Sequence, residues 1–68
     1  MDRKPVTSSN IVSVGHEKMT LEVEFKGGAV YQYSNVPPEV AAELLQADSV
    51  GKYLAEHIKG EYEYHKVG

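Results

Sequence analysis

Residues 21–33, LEVEFKGGAVYQY, decide the fold. Leu21, Val23 and Phe25 alternate with Glu22 and Glu24, the period-two pattern of a strand with one buried face. Residues 26–28, Lys-Gly-Gly, turn the chain, and Tyr31-Gln32-Tyr33 brings it back. The length of the turn decides where the tyrosines point. A two-residue Gly27-Gly28 loop sets Phe25 opposite Val30, with Val30 and Gln32 in the core and both tyrosines outside beside the glutamates. A three-residue loop, with Gly28 left-handed at a bulge, sets Phe25 opposite Ala29, Val23 opposite Tyr31 and Leu21 opposite Tyr33. The second register is preferred, because it buries two rings instead of an unpaired amide.

Upstream of the hairpin, residues 1–7 are polar, carry Pro5 and read as a flexible arm. Residues 11–16, IVSVGH, form a first strand. Alternation alone puts Val12, Val14 and His16 on one face and Ile11, Ser13 and Gly15 on the other. Ile11 also demands burial, so a bulge near Ser13 or Gly15 is expected. Glu17-Lys18 turns the chain into a second strand that starts at Met19.

Downstream, Val36-Pro37-Pro38-Glu39 ends the sheet and opens a helix from Pro38 to Gln46, because proline and glutamate both suit a first helical turn. Val40, Ala41, Leu44 and Leu45 make its apolar stripe. Asp48 or Ser49 caps a second helix from Val50 to Lys59, in which Val50, Leu54 and Ile58 recur every fourth residue. Gly60 stops it. Residues 61–67, EYEYHKV, alternate again, as a fourth strand or an extended tail. The motif YEY here echoes the YQY of the hairpin.

A chain of 68 residues makes one domain, and at this size only about 60% of the unfolded surface is buried. It contains no cysteine, so disulfides and thiolate metal sites are excluded, and self-association gains weight as a source of stability. No apolar run approaches a membrane span, and no apolar segment follows the N-terminal charges. A cytoplasmic location is the default expectation. Ten acidic against seven basic residues give a net charge of −3. That balance argues against a strong, sequence-blind grip on a polyanion but leaves room for a local basic patch.

The residues able to do chemistry form no catalytic pattern. His16, His57 and His65 show no metal-ligand spacing, and no cysteine joins them. Ser8, Ser9 and Ser49 lack a nucleophile elbow. Glu22 and Glu24 are neighbours on one strand face and read as a solvated surface that discourages aggregation. Gly27-Gly28 is a turn, since no helix follows it to receive an anion. Neither catalysis, nor a cofactor or metal, nor a small-molecule substrate is expected. Lys52 and Lys59 lie seven apart on the second helix and hence on one face. With Lys66 and His65 they make a modest cationic strip.

The succession SSNIVSVGH at residues 8–16, LEVEF, GG, YQY, NVP at residues 35–37 and ADSVGKYL at residues 47–54, with Ile58 and Tyr62 beyond, resembles the KTSC domain. The central YxY of that family matches Tyr31-Gln32-Tyr33, its VP matches Val36-Pro37, and its A-x-S-x-G-x-Y/F matches Ala47, Ser49, Gly51 and Tyr53. The chain departs from the pattern at His16 and at Ala41, where aromatics are common. KTSC domains occur at the C-terminus of some bacterial lysyl-tRNA synthetases and as stand-alone bacterial or phage proteins. The resemblance implies an accessory module, and attachment to a synthetase suggests RNA as its partner.

These readings combine into an α+β fold, a three-stranded antiparallel meander followed by two short helices, with or without a C-terminal fourth strand. The expected core is Leu21, Val23, Phe25, Tyr31, Tyr33, Val40, Leu44, Leu54 and Ile58. The domain is expected at residues 8–64, between the arm at 1–7 and a tail at 65–68. A non-catalytic accessory module leaning to RNA is the first functional reading, with Lys52, Tyr53, Lys59 and Lys66 as its contacts. The alternative is a protein-interaction or self-association module that forms a homodimer through a free sheet edge or by exchanging a terminal segment.

Overall fold

The hairpin is built in the longer-turn register. In the computed structural model, which describes residues 1–68, strand β3 (Thr20–Phe25) pairs with β4 (Val30–Tyr33) so that Leu21 faces Tyr33 and Val23 faces Tyr31. The Phe25 amide donates to the Ala29 carbonyl at 2.8 Å. Gly27 and Gly28 both sit at φ +100°, a conformation that side chains with a Cβ rarely adopt.

Strand β2 (Ile11–Glu17) precedes the hairpin and pairs with β3. Its bulge lies at Val12, between the Ile11–Phe25 and Ser13–Glu24 pairs, slightly earlier than expected. The extra residue turns Val12 outward and lets Ile11 and Val14 share the core face, which strict alternation forbids. The β2–β3 turn is Lys18-Met19, not Glu17-Lys18. Glu17 pairs with Thr20, and both turn residues have positive φ, 49° and 66°. A two-residue turn of that hand matches the twist of the strands, although neither residue is glycine.

The N-terminal arm is not free. Strand β1 (Lys4–Pro5) pairs with β2 through Lys4–Val14 and Pro5–Ser13. Proline is tolerated there because β1 is an edge strand. Arg3 then reaches across Gly15 to Glu22 at 2.7 Å and to Glu24 at 3.6 Å. Gln32 donates to Glu22 at 2.8 Å and Ser13 to Glu24 at 3.0 Å. The glutamates expected to be simply solvated therefore anchor the arm. A Cβ on Gly15 would lie 2.7 Å from the Asp2 carbonyl oxygen. Gly15→Ala is therefore expected to cost about 1–3 kcal/mol through overpacking. Denaturant unfolding measures that loss. Amide exchange at Val6, which donates to Val12, should accelerate in the same variant.

Helix α1 (Pro38–Gln46) starts at Pro37, with proline in its first turn, and buries Ala41 and Leu44. Val40 is half-buried, and Leu45 is exposed rather than part of the buried stripe. Helix α2 (Val50–Tyr53) is capped by Ser49, whose hydroxyl accepts from the Lys52 amide at 3.2 Å. It does not continue as α-helix to Lys59. A π-helical turn (Leu54–Ile58) replaces the second half and closes with the Lys59 amide on the Leu54 carbonyl at 2.8 Å. Val50, Leu54 and Ile58 are all buried. Gly60, at φ +83°, ends the helix.

Strand β5 (Tyr64–Lys66) returns to pair with β4, completing a five-stranded antiparallel sheet in the order β1-β2-β3-β4-β5. The expected meander thus gains a strand at each edge. Residues 65–68 are not a tail, since Val67 and Gly68 both donate to the Val30 carbonyl. Of the expected core, Leu21, Val23, Tyr33, Leu44, Leu54 and Ile58 are buried, together with Ile11, Val14 and Val36. Phe25, Tyr31 and Val40 are half-buried at its rim. No helix is long and apolar enough to cross a membrane.

Candidate functional site

Where β3, β4 and β5 run past the end of the helices, the sheet keeps part of its inner face open. Strand alternation aims Phe25 from β3 and Tyr31 from β4 toward this region, and Lys59 and Gly60 close it from the helix side. Phe25, Ala29, Tyr31, Tyr33, Tyr64, Lys59 and Gly60 line a cleft of about 510 Å³, within the roughly 300–1,000 Å³ usual for small-ligand sites. No carboxylate lines it.

The rings form a continuous chain. Phe25 meets Tyr31 edge-on, with centroids 5.7 Å apart and planes at 85°. Tyr64 tilts against Tyr31 at 5.7 Å and against Tyr33 at 5.6 Å. Tyr33 is buried, but Tyr64 is 59% exposed, the highest value among the exposed large apolar residues. The echoing motifs YQY and YEY thus end up on adjacent strands with Tyr33 opposite Tyr64. The Lys59 ammonium lies 5.5 Å from the Phe25 centroid, a cation–π contact. Lys66 pairs with Tyr31 in register, so its side chain shares the face of Tyr31 and Tyr64. Burial, and then repulsion from Tyr64 and Tyr31, raise the Tyr33 hydroxyl above its ordinary pKa.

The structure divides the four anticipated contact residues. Lys59 lines the cleft, and Lys66 stands opposite Tyr31 on the same sheet face, beside it. Lys52 and Tyr53 line a separate, shallow depression with Asp48, Ser49 and Glu56. There the Tyr53 hydroxyl donates to Glu43 at 2.8 Å, its ring lies 4.5 Å from His57, and its pKa is raised chiefly by the Glu43 hydrogen bond. Three acidic groups surround that depression. His65 opposes Gln32 and so lies on the outer face, away from Lys66. His16 donates to the Val36 carbonyl at 2.7 Å and ties the loop before α1 to β2. No group of three or more histidine or carboxylate side chains is placed to hold a metal ion. Of the cleft lining only Lys59 belongs to the anticipated contact set, and the rings of Phe25, Tyr31, Tyr33 and Tyr64 are all absent from it. The alternation of residues 61–67 was the signal for Tyr64.

The fold and cleft define a small α+β module with an open aromatic recess lined by one lysine. The KTSC domain family matches residues 7–62, and the chain belongs to that family. A KTSC domain protein from Yersinia pestis, solved by crystallography, superposes with a TM-score of 0.92 at 36% identity, covering 98% of this chain and 97% of that one. An uncharacterised protein from Stutzerimonas stutzeri is 43% identical over 98% of this chain and 99% of its own length. The lysine–tRNA ligase of Nostoc punctiforme is 36% identical over 81% of this chain, which corresponds to 10% of the ligase. The domain therefore exists both alone and as a small part of a tRNA ligase. Neither the family description nor the structural relative indicates a catalytic class.

Proposed function

We propose that the chain is a non-catalytic, cytoplasmic accessory module that binds RNA through the aromatic cleft. The observation that carries this reading is an aromatic cleft lined by Lys59, with Lys66 on the same sheet face opposite Tyr31, in a chain of net charge −3 whose arginine is already engaged by Glu22 and Glu24. Lysines supply phosphate contacts, and exposed rings on a sheet are how several small modules engage unpaired bases. The kinship with lysine–tRNA ligases, whose name gives a tRNA as substrate, points the same way. Two cations give a weak, salt-sensitive complex. Fluorescence anisotropy with a labelled RNA at several salt concentrations is expected to show a shallow slope, of order two phosphate contacts. Lys59→Gln with Lys66→Gln should flatten that slope and weaken binding, while Lys52→Gln should leave both unchanged. Equal effects at Lys52 would remove the cleft from consideration.

Self-association is the second reading, favoured by the exposure of Tyr64 and Val67 beside the outer edge of β5. Exchange of the C-terminal segment would rebuild the same β4–β5 ladder between two chains. Light scattering across concentrations separates a homodimer from a monomer.

A further inference from the structure

We propose that the cleft is a stacking site for one unpaired nucleobase, so that the module prefers single-stranded over duplex RNA. The proposal rests on the RNA reading above and names what the cleft itself recognises. Three features carry it. Tyr64 is braced by tilted ring contacts with Tyr31, at 50°, and Tyr33, at 36°, and yet is 59% exposed. A ring braced by two others and largely open to solvent is a platform for a planar partner. Phe25 and Tyr31, at 85° to each other, form the end wall of the recess beyond that platform. The lysines supply charge beside that wall, Lys59 over Phe25 and Lys66 opposite Tyr31. A planar apolar ring flanked by anionic phosphates complements that arrangement, whereas an apolar peptide segment would leave both ammonium groups without a counter-charge.

The Lys59 contact also gives the order of events. In the free protein its ammonium occupies the face of Phe25. A base entering the recess takes up ring surface there, and the flexible lysine stem lets the ammonium move to the adjoining phosphate. Bases inside a duplex are stacked on their own neighbours and present no free face, so a helix reaches only the lysines.

The test uses the full 68-residue chain and an oligoribonucleotide of about ten nucleotides, single-stranded or annealed as a blunt duplex, with one 2-aminopurine in its middle. Single-stranded binding is expected to exceed duplex binding, and stacking should quench the 2-aminopurine fluorescence. Tyr64→Ala should weaken single-strand binding roughly 5- to 100-fold, while Tyr64→Phe retains it. Tyr64 is mostly exposed, so the variants are expected to fold, which circular dichroism checks. If they do not, the wild-type quench and the strand preference decide alone. Equal binding of both forms, or binding without quench, overturns the stacking site but leaves RNA binding standing. Failure of both forms to bind at low salt overturns the stacking site and RNA binding together.

Discussion

Tyr33→Ala is expected to leave the domain largely unfolded at room temperature. The ring is 2% exposed and lies opposite Leu21 in the centre of the sheet. Truncating a buried aromatic costs about 3–5 kcal/mol through lost transfer energy and the cavity left behind. A natural domain holds roughly 5–15 kcal/mol in total, and a chain of this size lies at or below the low end. Tyr31→Ala should cost distinctly less, because Tyr31 is half-exposed at the cleft. Denaturant midpoints of the two variants give the order. If Tyr31 proved the costlier truncation, Tyr31 and not Tyr33 would be the more deeply buried ring. Tyr33 also carries a pH signature. Its pKa is raised above the ordinary 10.0 by burial, with repulsion from Tyr64 and Tyr31 adding to it. Above pH 10.0 the unfolded chain releases this proton while the folded chain keeps it, so stability falls as pH rises toward the folded value. Tyr33→Phe should fold and should lose stability less steeply over that alkaline range.

The hairpin was legible because three independent signals agree in residues 21–33. The alternation gives the strand, the two glycines give the turn, and burial of rings against an amide selects the register. The N-terminal edge was not legible, whereas the C-terminal strand stood as one of two readings of residues 61–67. Strand β1 has two residues, one of them proline, and its evidence lies in what Gly15 lacks rather than in any pattern of its own. The Lys18-Met19 turn uses positive φ at residues that do not advertise it. The bulge was foreseeable from the burial demand of Ile11, but its position within one or two residues was not. The site suffered from one hidden feature. In an α-helix, residues seven apart lie about 20° apart around the axis, which places Lys52 and Lys59 in line. The π-turn between them breaks that line, and the two lysines serve different surfaces. The every-fourth-residue spacing of Val50, Leu54 and Ile58 suits both helix types, so periodicity could not reveal the switch.

That switch leads to the second large effect. Residues four apart in an α-helix drift by about 40° around the axis, so Leu54 is already rotated relative to Val50. A further α-helical step would carry Ile58 away from the core by the same angle. The wider π-turn drifts in the opposite sense and brings Ile58 back. The result is a fully buried Ile58, at 0% exposure, followed immediately by Lys59 over the Phe25 ring. Ile58→Ala is therefore expected to cost about 2–5 kcal/mol, and Ile58→Val only about 0.5–1.5 kcal/mol. Thermal or denaturant unfolding measures both. The alanine variant has a second readout. Ring-current shifts of the Lys59 side-chain protons should move toward their random-coil positions, because the helix end no longer has an anchor beneath it. A folded Ile58→Ala protein with unchanged Lys59 shifts would show that the cleft is held by the sheet alone. The expected result ties them together: the residue that closes the core also positions the cation that lines the cleft.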